Sequence, residues 1–202
     1  MGSFASALSR ARYPILSVSA TYFLSAIVGI AMVTWGNTFA LDHRDRLVGD
    51  AVKNDAIVST NLGGGHLQAA FMDFGANLII ESVPTSLMGM AIVFPYPLVA
   101  YQGWIGGIVS VRGDHSSRLN TLPSATYFSL TLLLQIIAYS VSIGAGVNTG
   151  VALLRPRPHY QGAKVLRIFP KEALLDWGRL YLVAIPIFLI ASLWEFLSPW
   201  NF

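Results

Sequence analysis

The sequence predicts an all-α integral membrane protein, a polytopic helical bundle of about five transmembrane segments with a short or irregular third. Three observations predict it. Of 202 residues, 54% are hydrophobic and only 11% are charged, against about 25% charged in an ordinary soluble domain. Mean hydropathy is +0.57. The apolar residues fall in runs long enough to cross a bilayer, separated by short polar stretches. A chain of 202 residues has room for a full soluble core, so the charge deficit is not an effect of small size. A soluble globule, a disordered tail and a nucleic-acid module all fit poorly. Residues 1–202 read as a single membrane domain.

The first apolar run, 14–41, carries no charge. It exceeds the roughly 20 residues a span needs, so the helix tilts or extends past the bilayer. Arg10 and Arg12 precede it as in a signal peptide. The run is longer than an h-region of about 7–15 residues, so an uncleaved anchor is expected. Next comes the one long polar stretch, 42–66, with Asp42, Arg44, Asp45, Arg46, Asp50, Lys53 and Asp55. Its alternating signs suggest a solvated helix over 42–58, then a hinge at Gly63-Gly64-Gly65.

The hydrophobic stretch 67–111 is too long for one span. Pro95 and Pro97 remove backbone donors and restrict their predecessors, which places a turn there. Spans over 67–94 and 97–111 follow, the latter short, loosened by Gly103, Gly106 and Gly107, and compatible with a re-entrant or half-broken segment shielded by protein. The fourth span is 122–154. The basic linker 155–171 holds Arg155, Arg157, Lys164, Arg167 and Lys171, with Pro156 and Pro158 opposing helix. The fifth span is 173–200, with a kink expected at Pro186 and Trp177, Tyr181, Trp194 and Trp200 near its ends as aromatic belts.

Charge sets the orientation. With five spans, the N-terminus and the 155–171 linker share a side bearing eight of the 13 Lys and Arg residues, and five lie opposite. The excess side is cytoplasmic, which places the C-terminus outside. A bacterial inner membrane is the expected location.

The sharpest chemical feature is a polar line, Asp73, Asn77, Glu81 and Thr85, each four residues after the last. At about 3.6 residues per turn these fall on one slowly drifting face. A carboxylate at Glu81's expected depth costs about 2.5–3.5 kcal/mol on insertion scales. Glu81 must be protonated, hydrogen-bonded or facing a cavity. Two readings stand: polar glue between helices, or a proton, ion or substrate pathway. In the fourth span, Ala138, Ser142, Gly146 and Gly150 form a small-xxx-small face for close packing, within the chain or between copies. Gln135 is placed to meet Glu81, and Glu195 lies near the far end of the last span. The basic linker suits lipid headgroups or a partner.

Other chemistries lack their residues. There is no cysteine, hence no disulfide, thiolate metal site or Cys nucleophile. The four histidines, His43, His66, His115 and His159, are expected in loops, which disfavours haem or chlorophyll ligation within the bilayer. No HExxH, P-loop or GxSxG occurs. No enzyme, metal or tightly held cofactor is expected, while contact with a bound lipid or a peripheral pigment is compatible.

An ordered set of cues from Phe71 to Pro199 resembles the stage II sporulation protein M family. Phe71 with Asn77 resembles its entry to the second span. Tyr101-Gln102-Gly103 with Gly106 looks like its aromatic-Asn-Gly turn, and Gly144-Ala145-Gly146 with Gly150 like its small-residue motif. Trp194-Glu195-Phe196 with Pro199 is similar to its closing acidic signature. Three features depart from the pattern: Gln102 stands in place of Asn, Leu130-Thr131-Leu132 in place of a Pro-His-Gly, and Gln135 in place of a Glu. The resemblance implies a non-enzymatic membrane component working with other membrane proteins. The residues support the same expectation, an accessory or scaffold subunit whose partners are integral membrane subunits and lipids. The alternatives are a transporter or channel component using the Asp73/Asn77/Glu81 line, or a peripheral scaffold of a photosynthetic or respiratory complex.

Overall fold

The computed structural model describes residues 3–155 and 158–200; Pro156 and Arg157 of the expected linker lie outside the described residues. The chain is all-α apart from one small ribbon. Three helices are long and apolar enough to cross a membrane: α1 (Phe4–Thr34), α7 (Leu122–Leu154) and α8 (Lys171–Leu197). Of the five expected spans, the first, fourth and fifth correspond to these helices. The second is a broken helical path and the third a helix of 14 residues, about 21 Å long at 1.5 Å per residue.

Helix α1 starts earlier than the apolar run suggested and stops sooner. Ser3 caps it, accepting from the Ser6 amide at 3.3 Å, and the helix continues through Pro14. Gly36, at φ +70°, ends it in the left-handed conformation that glycine adopts without strain. Asn37 then caps α2 (Thr38–Asn54), accepting from the Ala40 amide at 3.0 Å. The expected 14–41 span is thus a 31-residue helix plus the start of another. Asp55 ends α2 and caps α3 (Ala56–Leu62), accepting from the amides of Ile57 and Val58. Gly63 to Gly65, expected as a hinge, form a turn, with Gly64 at φ +86°.

The next path, from His66 to Gly89, is continuous but not uniform. It comprises α4 (His66–Gly75), a π-helical segment (Ala76–Ser82) and α5 (Val83–Gly89). The turn after it occupies residues 90–94, with Ile92 at φ +62°. Pro95 and Pro97 fall in the first turn of α6 (Pro95–Ile108), where a missing N–H is no loss. The prolines open a helix where a turn was expected. The third segment thus runs 95–108 and not 97–111.

Helix α7 matches its expected range residue for residue. It is the central element: residues 138–150 are buried on every side, as a helix surrounded by others must be. The linker forms a 3₁₀ turn at Pro158–Tyr160 and an antiparallel ribbon of β1 (Lys164–Val165) and β2 (Phe169–Pro170). Arg155, Lys164, Arg167 and Lys171 are exposed.

Side-chain pairings fix the directions. Ser17 meets Tyr96 and Ala26 meets Gly107, so α6 runs parallel to α1. Ile15 meets Gly144 and Tyr22 meets Tyr139, so α7 is antiparallel to α1. Ser86 meets Gly146 and Met90 meets Gly150, so the 66–89 path runs with α7. Ser82 meets Tyr181 and Asp73 meets Ser192, so α8 opposes both. Arg10, the 90–94 turn and the linker therefore share one end of the bundle. The α2–α3 hairpin, the 109–121 loop and Glu195 share the other.

Candidate functional site

Glycine brings the backbones together in one half of the bundle. A Cβ on Gly146 would collide with the Ser86 carbonyl, and one on Gly150 with the Met90 carbonyl. One on Gly144 would lie 2.8 Å from the Ile15 Cα. The Ala138, Ser142, Gly146 and Gly150 face is thus used within the chain. Ser86 closes it further by donating to the Ser142 carbonyl at 2.6 Å. The same device joins α1 to α6, where a Cβ on Gly103 or Gly107 would strike the carbonyl of Tyr22 or Ala26.

The other half is polar inside. Asp73 accepts from Asn77 Nδ2 at 2.8 Å and from Ser192 Oγ at 2.7 Å. The Tyr139 hydroxyl faces both Asn77 Oδ1, at 2.9 Å, and Glu81 Oε2, at 2.5 Å. Gln102 Nε2 on α6 also donates to Glu81 Oε2, at 3.1 Å. The polar line is therefore one network joining the broken helix to α6, α7 and α8. The π-helical segment carries Asn77 and Glu81; such wide turns recur at functional sites. Thr85, the fourth member of the line, is buried.

Gln135 does not meet Glu81. Its Nε2 donates to Glu195 Oε2 at 3.2 Å, and the Tyr127 hydroxyl donates to the Glu195 carbonyl. Two cavities adjoin here, sharing Gly106, Val109 and Gln135 in their walls. One, of about 360 Å³, holds Glu81, Asn77, Gln102 and Tyr139. The other, of about 350 Å³, holds Glu195, Arg44, Arg118 and Tyr127. Glu81 is exposed at the first, in a groove between the π-helical segment and α6. Among the described residues no ion pair reaches Glu81.

Two charged residues were misjudged or missed from sequence. Arg44 was expected on a solvated helix, yet its side chain is only 6% exposed and pairs with Asp45 at 2.8 Å. That bond first, and then one from His115, hold the Asp45 carboxyl below its ordinary range. Asp176, not singled out by its spacing, is wholly buried at the opposite end. Arg10 grips both its oxygens at 2.5 Å, Arg179 donates at 2.7 Å and Tyr160 at 3.0 Å. Burial pushes the Tyr160 phenol up. The signal that could have found Asp176 is Arg179 three residues on, at helical spacing.

Other expectations shift in detail. His43 lies on α2 and His66 opens α4, so they are helical, although outside the three long apolar helices. No group of three or more metal-ligating side chains occurs among the described residues. Trp177 and Tyr181 do not form a belt: Trp177 donates inward to Ser86 Oγ at 3.0 Å, and Tyr181 is buried against it. The chain matches no family model, no curated protein and no solved structure.

Proposed function

We propose that this chain is a non-catalytic subunit of a larger membrane assembly, and that the groove at Glu81 receives a helix of a partner subunit bearing a cationic side chain. One observation carries the reading. Glu81 is exposed at the groove, and its bonds among the described residues come from neutral donors, Tyr139 and Gln102. A carboxylate at membrane depth is costly, and an opposite charge offsets that cost where water is absent. Leu47, Tyr101, Ile105 and Val109 give the groove apolar walls, and Ile79, Ile80 and Leu98 are exposed on the two segments that flank it, as suits helix-to-helix contact.

In this reading the path 66–89 and α6 are the second and third of five crossings. The N-terminus is cytoplasmic and the C-terminus external, in a bacterial inner membrane. The resemblance to the stage II sporulation protein M family points the same way. A transporter or channel component would need a polar route to both ends. The closed packing of Gly144, Gly146 and Gly150 against Ile15, Ser86 and Met90 argues for a blind cleft.

The test is Glu81→Gln, with native untagged purification and flux assays on the same membranes. The expected result is loss of co-migrating chains, with the purified variant still folded and melting as the parent does. Abolished proton or ion flux in an intact assembly would overturn the subunit reading in favour of a pathway. An absorbing pigment in the purified complex would favour the energy-converting alternative.

A further inference from the structure

We propose that the Arg44 end of the bundle holds a binding site for a phosphate-bearing anion, formed by Arg44 and Arg118 with Arg112 beside them. The site is distinct from the Glu81 groove and does not rest on the reading given for it. Arg44 on α2 and Arg118 on the 3₁₀ turn Arg118–Asn120 line one cavity, and Arg112 follows Val111, whose bridge to Ser117 sets it beside that turn. Each has a buried Nε with no hydrogen-bond partner. A guanidinium offers five donors in a rigid fork, and a buried charged donor left without an acceptor is a standing cost.

Among the described residues the three Nε atoms receive no acceptor from the neighbouring acids. Asp45 takes Nη1 of Arg44 and a bond from His115 Nε2 at 2.9 Å. Glu195 accepts from Gln135. Arg112 spends Nη2 on Ser124 Oγ at 3.3 Å. Burial chiefly, opposed by Tyr127 and Glu195 and reinforced by Arg44 and Arg112, pushes the Arg118 guanidinium below its ordinary value. The guanidinium fork matches carboxylate and phosphate alike, and phosphate brings the additional oxygens that two guanidinium groups on one cavity can share.

Arg44 and Arg118 line the cavity of about 350 Å³, whose wall mixes apolar Val48, Val58, Phe128 and Leu132 with polar Tyr127, Gln135 and the Glu195 carboxylate, so two guanidinium groups face one acid there. Such a lining suits a charged head on an apolar stem. A lipid headgroup and free phosphate share the recognised chemistry, and the experiment separates them.

The full chain is purified in non-ionic detergent. Its melting temperature is followed with inorganic phosphate, and anionic phosphatidylglycerol is titrated by native mass spectrometry, with competition between the two. Arg118→Gln is expected to weaken binding at least tenfold while leaving the ligand-free melting temperature unchanged or raised, because a repulsive charge has gone. Arg118→Lys, which keeps the charge and loses the fork, is expected to fall between. Arg46→Gln is expected to bind as the parent does, since Arg46 is exposed and bonds the Asp42 carbonyl. Lipid that displaces phosphate assigns a headgroup; phosphate binding that lipid does not disturb assigns a free ion. If neither probe binds, or if binding survives Arg118→Gln undiminished, the proposal is overturned.

Discussion

A buried carboxylate held by two guanidinium groups is stable only while both signs are present. Asp176 is in that position, wholly buried between Arg10 and Arg179. Asp176→Asn preserves shape but leaves two cations facing a neutral amide. Breaking a buried pair this way costs about 3–5 kcal/mol. The expected outcome is a sharp fall in thermal midpoint in detergent, whereas Arg179→Gln, which leaves the Arg10 fork in place, costs less. Tyr160 makes the same point on a smaller scale. Its hydroxyl donates to Asp176 and accepts from Asn148 Nδ2 at 3.0 Å. Tyr160→Phe removes a donor to a charged acceptor and strands the Asn148 amide, at a cost of about 1–3 kcal/mol. A thermal midpoint within error of the parent would show that the cluster does not tie the linker to α1 and α8.

At the scale of the helix, contact distance matters more than hydrophobicity. Where α5 meets α7, a side chain on Gly146 would overlap the Ser86 carbonyl, and backbone yields less easily than a side-chain tip. Overpacking of this kind costs about 1–3 kcal/mol. Gly146→Val is expected to lower the thermal midpoint and separate α5 from α7. Gly178→Ala, with open space where its Cβ would go, is expected to be neutral or slightly stabilising. Equal midpoints for the two variants would contradict the close-packed seam. This seam was legible, because four-residue spacing of small side chains on an apolar run has few other uses. Helix α7 was legible too, with Pro123 inside its start and Arg155 just past its end. The boundary at Gly36 was not, since a sum over hydrophobicity passes through one glycine without registering its left-handed backbone. The Asp73–Glu81 line was readable from its period. Its partners Tyr139, Gln102 and Ser192 were not, because they are supplied by tertiary approach. Arg44 was misread because alternating signs describe a solvated surface only when nothing packs over it.

For the molecule as a whole, the open matter is how many times the chain crosses, and the packing makes it answerable. A bundle with three crossings (α1, α7 and α8) and one with five agree on both termini and on the linker. They differ at the 90–94 turn. With three crossings this turn belongs to the side of the α2–α3 hairpin, and with five it belongs to the side of the linker. The pairing of Met90 with Gly150 places it near the linker end, and Val93 is 69% exposed there. The absence of cysteine makes labelling clean. Single replacements Asp50→Cys, Val93→Cys and Gln161→Cys in an otherwise unaltered chain are treated with an impermeant maleimide on intact cells and again after lysis. By charge bias, Asp50→Cys is expected to react from outside and Gln161→Cys only after lysis. Val93→Cys is expected to follow Gln161→Cys. Should it instead label from outside with Asp50→Cys, the path 66–89 does not cross, Glu81 lies in a re-entrant fold open to one side, and the groove must take its ligand from that side.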